Sequence, residues 1–586
     1  MQKAPPHMAG PFLIHDAHQT LPHIRSTHVT LFDLSRNSKE FGMPSKEEKK
    51  EPHPLTTILC FAGLVYISVL AYPMRYDPDF YFIPYCLWLG TAFIGLEILG
   101  KILKYALRFR RQIQVRKAKG NKGTAHWAGA RLIRRLSKRK TGLFCGVSHG
   151  KGVFLPFETS AMVLAGSGAG KTVGTVIPEL LHNPLGMLVT DLKGSLACIT
   201  ARHRRKNKTY FLNPGELFKD SLGPSARFNP LTSLIKNWSE PTRHKHLVAD
   251  AKKLALQLVK EPAAPGENSF FREGSRKLLV FSMLYLVTQF GTVTLSQTLS
   301  LLRDIDRLEA AFYAAQATSV LSGDLSGMAK DLTRKIENGD SRQFESFREG
   351  ALQVLEPYSA SGVLAAATEH SDFDMEELKT GKVTVYIICD PTQQDTFAEW
   401  IALVTEAASS ELIRSADRTP VVFLLDEATN FKIASLPKLL TSVREFGIRI
   451  IVVLQELEQW AHVYGRESLE TLLSQTELKI FHGTGSQKAR ELISKMLGSS
   501  SLREESYSTG RNLFSPVSST VSEVAKPILT PEQVGQFSRS IVFYRNNPPM
   551  QLDKVGYHEV TPWRSQAQAN PYFGKKKYKG RVKLRL

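Results

Sequence analysis

One octapeptide constrains this 586-residue chain more than any other feature: Ala165-Gly-Ser-Gly-Ala-Gly170-Lys171-Thr172. Before it lies Ser160-Ala-Met-Val-Leu-Ala165, a short apolar run of strand type, and after it Val173 to Leu181, which reads as a helix. Glycine lets a backbone curl where a Cβ would clash. A glycine-rich loop between a strand and a helix can therefore point successive N–H groups at an anion, and the helix N-terminus adds partial positive charge. The context predicts a phosphate-binding P-loop. Ala165, Gly166, Ser167, Gly168, Ala169 and Gly170 would form the cradle, Lys171 would reach the β- and γ-phosphates of ATP, and Thr172 would ligate Mg²⁺. Ala165 stands where a first glycine is usual, and alanine is the smallest replacement available.

A P-loop needs a metal-binding carboxylate from a second buried strand end. Pro420-Val-Val-Phe-Leu-Leu425 is such a strand, followed by Asp426-Glu427. Asp426 would hold the Mg²⁺ shell through water, and Glu427 would orient and polarise the attacking water. Gly186 to Asp191, Val383 to Asp390 and Ile448 to Gln455 are apolar runs that each end in a polar residue, and Glu477 to Gly483 and Ser540 to Arg545 are further strands. Apolar strands alternating with helical stretches indicate an α/β fold with a parallel sheet covered on both faces. Polar residues at the carboxyl ends of such strands line the ligand crevice, which would gather Asp191, Asp426 and Gln455, with Asp390 either a site residue or a turn residue.

The net charge of +21 points to anionic partners, nucleic acid or acidic lipid. Leu55 to Tyr72 and Phe80 to Leu96 are uncharged or nearly so and near the length of a bilayer-spanning helix. Lys46, Lys49 and Lys50 precede the first run. Lys101, Lys104, Arg108, Arg110, Arg111, Arg116, Lys117 and Lys119 follow the second without an acid among them. Basic flanks stay on the cytoplasmic side, so both termini are expected inside, with Pro73 to Asp79 as a short outer hairpin. The five cysteines show no disulfide or zinc spacing and read as small core or membrane residues of a reducing compartment.

The order of these motifs resembles the type IV secretion and conjugation coupling proteins of the TraG/TraD family, from about Gly123 to Tyr557. Gly123-Thr-Ala-His-Trp127, Gly142-Leu-Phe-Cys-Gly146, Val189-Thr-Asp-Leu-Lys-Gly194, Arg227-Phe-Asn-Pro-Leu231, Pro527-Ile-Leu-Thr-Pro-Glu532 and Asn547-Pro-Pro549 are family-like strings in the family's order. The resemblance implies a RecA-like P-loop NTPase domain with an inserted all-α domain, an N-terminal two-helix transmembrane anchor, and a homo-hexameric ring. It further implies that Arg444, with Arg449 as the alternative, is an arginine acting across the subunit interface, and that Gln455 senses the γ-phosphate. The domains would be a cytoplasmic arm 1–54, a transmembrane hairpin 55–111, nucleotide-binding halves 112–235 and 377–560 around the helical insertion 236–376, and a basic tail 561–586.

The function this implies is an ATPase of the bacterial inner membrane, its bulk cytoplasmic, with type IV secretion channel components as partners. Its cargo would be a relaxase with single-stranded DNA or an effector protein, and the basic balance favours DNA. Basic runs at Arg131–Lys140, Arg202–Lys208 and Lys575–Arg585 are candidate phosphate or lipid contacts carrying no base-specific readout. The alternatives are a duplex DNA translocase of the FtsK/HerA type, which would usually carry a DNA-reading C-terminal domain, and a membrane receptor that does not hydrolyse.

Overall fold

A computed structural model of the chain describes residues 54–115, 122–138, 141–262, 268–337, 341–508, 518–574 and 582–583. The expected N-terminal arm, the outermost basic flanks of the membrane runs, Arg139 and Lys140, and most of the basic run Lys575–Arg585 lie outside these. The described chain divides into two units, residues 1–114 and 115–586.

In the first unit, helix Pro54–Leu70 leads through a 3₁₀ turn at Tyr72–Tyr76 to helix Phe82–Val115. Two apolar windows, Leu59–Tyr76 and Phe82–Gly100, are each long enough to cross a membrane. They lie a few residues C-terminal to the expected runs. The second helix has 34 residues and is about 50 Å long, more than a hydrocarbon core requires. Its basic C-terminal part continues the same helix and does not start a new segment. Large apolar side chains face outward here: Leu59, Leu89 and Phe93 are 65%, 74% and 71% exposed, the inverse of a water-soluble surface.

In the second unit the strands of three residues or more, in chain order, are β1 (Leu143–Ser148), β2 (Lys151–Leu155), β3 (Ser160–Ala165), β4 (Gly186–Asp191), β5 (Lys208–Leu212), β6 (Val383–Ile388), β7 (Val421–Leu425), β8 (Ile448–Leu454), β9 (Leu478–Gly483), β10 (Ser499–Ser508), β11 (Ser518–Pro527), β12 (Ser540–Tyr544) and β13 (Met550–Leu552). Nine of them form one sheet in the order β13-β12-β9-β3-β8-β7-β4-β6-β5. The strands from β9 to β5 are parallel, but β12 runs antiparallel to β9, and β13 antiparallel to β12. The sheet is therefore mixed, which corrects the all-parallel expectation. A short return through Asn546–Pro549 can join β12 to β13 only as an antiparallel pair.

The inner strands are buried on both faces, which is why they read as unbroken apolar runs. Alternate residues serve different layers. Met162, Leu164, Phe423, Ile450 and Val452 pack with the helices between β5 and β6 and with helix Gln394–Arg414. Ala161, Val163, Leu424, Ile451 and Val453 pack with the β1–β2 hairpin and with helices Ile177–His182 and Ser195–Arg204.

Between β5 and β6 the described chain, from Thr232 to Thr380, is helical. Leu295–Ala315, which reads in the sequence as one helix, forms two, Leu295–Arg303 and Ile305–Gln316. Asp304 is extended and accepts from the Arg307 N–H at 3.1 Å, so it stops one helix and caps the next. His244–Val259, which also reads in the sequence as a helix, begins within a 3₁₀ turn, Pro241–His246, and is a regular helix over Leu247–Leu258.

Of the arginines and lysines in the run Arg202–Lys208, Arg202, Arg205, Lys206 and Lys208 are exposed and Arg204 is not. Arg204 is buried and donates to Thr384 Oγ1 at 2.8 Å, Asn183 O at 2.5 Å and Leu185 O at 2.7 Å. Arg205 donates to Leu222 O, Lys208 pairs with Glu377 at 2.8 Å, and Lys208 opens strand β5.

Candidate nucleotide site

The sheet order builds the site. β3, β8 and β7 are neighbours, and their carboxyl ends bear the P-loop, Gln455 and Asp426-Glu427 respectively. At about 4.8 Å per strand, the ends of β3 and β7 are about 10 Å apart, a gap that a lysine and a glutamate side chain can close.

Ala165 is the last residue of β3 and is buried, with no positive φ. A Cβ therefore costs nothing at this first position. Gly168 and Gly170 do need glycine, with φ of +73° and +94°. The loop is anchored at its entrance by Gly166 N–H, which donates to Gly483 O at the end of β9 (3.0 Å), and Ala169 N–H donates back to Gly166 O (3.1 Å). The helix that follows starts as a widened π turn, Thr172–Val176, in which Ile177 N–H donates to Thr172 O. Pro178 has no N–H to give the carbonyl of Gly174, and the ladder widens just before it.

A histidine that sequence reasoning missed braces this turn. His482 is buried at the end of β9, with Nε2 2.8 Å from Thr175 Oγ1 and Nδ1 2.7 Å from Ser540 Oγ. Burial, with Lys554 nearby, pushes its pKa down to about 3, so it is a neutral strut. Its only sequence signal was its place one residue before a strand-ending glycine.

Lys171 Nζ lies 3.4 Å from Glu427 Oε1. The same oxygen accepts from Gln455 Nε2 at 2.9 Å, and Glu427 Oε2 accepts from Asn430 Nδ2 at 3.1 Å. Glu427 has φ +55°, a left-handed conformation unfavourable for a side-chain-bearing residue and concentrated at functional positions. Asn430 was not singled out from the sequence, and its spacing of three residues after Glu427 is the signal available. Asp426 is half-buried, and its Oδ1, shielded from water, has no hydrogen-bond partner. Burial raises its pKa to about 7, against the opposing pull of Lys171, while Glu427 and Asp191 push it further up. A buried, orphaned carboxylate oxygen beside a threonine-bearing P-loop suits a hard divalent cation with oxygen ligands, so Thr172 and Asp426 fit Mg²⁺.

The other expected crevice residues divide. Asp191 is buried, and its Oδ2 accepts from Ala197 N–H at 2.8 Å, so it caps the helix after β4 and faces the site only through its charge. Asp390 accepts from Thr392 N–H and Oγ1 at 2.9 and 2.8 Å and is a turn residue. Arg444 lies in a 3₁₀ turn at the start of β8, with its side chain 67% exposed and paired to Glu158. Seven residues of β8 separate it from Gln455, about 20 Å, so it is remote from the P-loop of its own chain. Arg449 is a half-buried strand residue registered opposite Val422.

Strand, glycine-rich loop, helix and neighbouring acidic strand end define the class: a nucleotide-binding P-loop NTPase fold. A family model described as type IV secretory system conjugative DNA transfer matches residues 115–580, and the chain belongs to that family. Protein VirD4 of Agrobacterium fabrum is 26% identical over 462 residues, covering 74% of this chain and 66% of VirD4. Conjugal transfer protein TraG of Escherichia coli is 26% identical over 393 residues, covering 62% of this chain and 60% of TraG. The chain thus spans about two thirds or less of these relatives. Plasmid coupling protein TrwB, solved with the ATP analogue ADPNP, shares the fold with a TM-score of 0.55 at 16% identity, covering 79% of this chain and 97% of that one. TrwB with ADP and Mg²⁺ gives a TM-score of 0.53 at 16% identity, covering 76% and 93%.

Proposed function

We propose that this chain is the ATPase of a type IV coupling apparatus, hydrolysing ATP to deliver a substrate to a secretion or conjugation channel. The observation that carries it is the meeting of Lys171, Asp426, Glu427 and Gln455 at three neighbouring strand ends. In this reading the loop N–H groups and Lys171 hold the β- and γ-phosphates, and Thr172 and Asp426 hold Mg²⁺. The bound cation spreads the negative charge of the phosphates. Glu427 orients the attacking water, and Gln455 and Asn430 hold Glu427 in place. Arg444 cannot serve its own site across about 20 Å and acts on the site of the next copy in a homo-hexameric ring.

The two apolar helices anchor the ring in the inner membrane as a multi-pass hairpin, with the basic flanks and the bulk of the chain on the cytoplasmic side. Conjugative DNA transfer in the family's description, together with the charge of +21, supports single-stranded DNA with its relaxase as cargo over an effector protein. The test is ATP turnover by the full chain in lipid nanodiscs, with and without single-stranded DNA. Turnover stimulated by single strands, and weakening of that stimulation by salt, is expected. Stimulation by duplex alone would support the duplex translocase, and no turnover in any oligomeric state would support a passive receptor.

A further inference from the structure

The loop that carries Glu427 is gripped from outside over five consecutive residues. Tyr464 Oη donates to Phe431 O at 3.3 Å and accepts from Ile433 N–H at 3.1 Å. Gln257, on helix Leu247–Leu258 and 1% exposed, donates from Nε2 to Lys432 O at 3.0 Å and accepts at Oε1 from Ala434 N–H at 2.7 Å. Ser435 donates to Glu406 Oε2 from its N–H at 3.3 Å and from Oγ at 2.6 Å. Glu406 is in turn paired at 2.8 Å with Lys253, one helical turn before Gln257. At the other end of the loop, Asn430 N–H donates to Glu427 O at 2.9 Å and Asn430 Nδ2 to the Glu427 carboxylate.

A planar amide that donates to one peptide carbonyl and accepts from the N–H two residues on imitates a paired strand, and it fixes the loop in both directions. Buried backbone groups released from such a pair must find new partners or move, which makes the grip specific in geometry. None of these contacts touches Gly166–Thr172. We propose that Gln257 is a positioning residue for hydrolysis: through residues 430–435 it sets where the Glu427 carboxylate stands. The helices between β5 and β6 thereby hold a mechanical input to the hydrolytic carboxylate that bypasses the phosphate cradle. This rests on the ATPase reading above.

The experiment uses the full chain in nanodiscs carrying Gln257→Met, which preserves length and removes both hydrogen bonds. Binding of a fluorescent ATP analogue should stay within about twofold of wild type. Turnover at saturating ATP should fall about tenfold or more, because small displacements of a reacting group are costly. Asn430→Ala should slow turnover too, and the double variant should be no slower than the slower single variant, because both act along one path. Should Gln257→Met not fold, Tyr464→Phe removes the neighbouring pair of bonds while the ring keeps its tilted contact with Trp460, and it should slow turnover with binding intact. Turnover within twofold of wild type in the folded variant, a loss confined to KM, or multiplicative effects in the double variant would overturn the inference. A wild-type chain that turns over no ATP would instead overturn the ATPase reading itself.

Discussion

Lys171 and Glu427 face each other across the site at 3.4 Å, a cation and an anion each largely shielded from water. The lysine is thereby kept extended toward the loop mouth. Its charge also opposes the burial that drives Asp426 toward its neutral form. Removing it leaves Asp426 beside the charges of Glu427 and Asp191 with only the smaller opposing pull of Lys193.

Lys171→Ala should therefore lose nucleotide affinity by about 10- to 100-fold, the worth of a charge-assisted hydrogen bond of about 1.5–3 kcal/mol. Hydrolysis should fall below detection. Titration calorimetry with ADP measures the first, and phosphate release the second. Helix content should be unchanged, because the lysine contributes nothing to the apolar layers on either side of β3.

Glu427→Gln separates binding from chemistry. Glutamine keeps the volume and can still meet Gln455 and Asn430, but it cannot take up a proton from water. Turnover should fall about 10²- to 10⁴-fold with nucleotide affinity within a few-fold of wild type. Single-turnover phosphate release beside equilibrium binding distinguishes this from a variant that merely binds poorly.

Much of this site is legible in the sequence because each part sits at the end of a strand buried on both faces. Such strands are nearly unbroken apolar runs, with Arg449 near the start of β8 an exception, so Ala165, Asp426 and Gln455 mark their ends within a residue. What escapes is whatever depends on chain segments far apart in sequence. Gln257 and Glu406 look like ordinary polar residues of amphipathic helices until the loop at 431–435 is placed against them. Arg204 sits in a run of charges and reads as surface, because nothing local says that Asn183 and Leu185 will turn their carbonyls toward it. The β1–β2 hairpin is obscured by its glycines, and β5 by the lysines and arginines before it.

The pH dependence of cation binding follows from Asp426. Burial raises its pKa from 3.8 to about 7, so the folded chain holds this proton more tightly than the unfolded chain. The group's contribution to stability is accordingly greatest at low pH and declines as pH rises from about 4 to about 7. Mg²⁺ requires the ionised form. Affinity for Mg²⁺ with ADP should weaken roughly tenfold between pH 8 and pH 6 through this group. Asp426→Asn should bind Mg²⁺ weakly at both pH values and show only the titration of the nucleotide itself. Calorimetry in two buffers of different ionisation enthalpy would register the proton released by wild type.

Arg204 is the buried arginine of the basic run Arg202–Lys208. It is 4% exposed and ties the helix after β4 to β6 and to the chain entering β4. Arg204→Ala strands three acceptors and opens a cavity, and should destabilise the second unit by about 3–5 kcal/mol. Arg202→Ala, at an exposed neighbour, should shift stability by less than about 0.5 kcal/mol. Thermal unfolding of both variants measures the contrast; equal, small shifts would show that Arg204 contributes no more than its exposed neighbours.

Arg444 supplies the test of a shared site. Its side chain is exposed and held only by Glu158, and its own P-loop is a strand length away. Arg444→Ala should bind nucleotide normally and hydrolyse it about 10³-fold more slowly or worse, as for arginines that act across an interface. Arg449→Ala should act mainly on stability, since Arg449 lies within a strand and its charge faces Glu179 and Glu477. Mixing gives the decisive measurement. Lys171→Ala and Arg444→Ala chains are each inactive alone, but a mixed ring places an intact Arg444 beside an intact Lys171 at some junctions. Activity recovered on mixing, peaking near equal proportions, is the expected result. No recovery, with mixed assemblies verified by differential tags, would return Arg444 to a surface ion pair with Glu158.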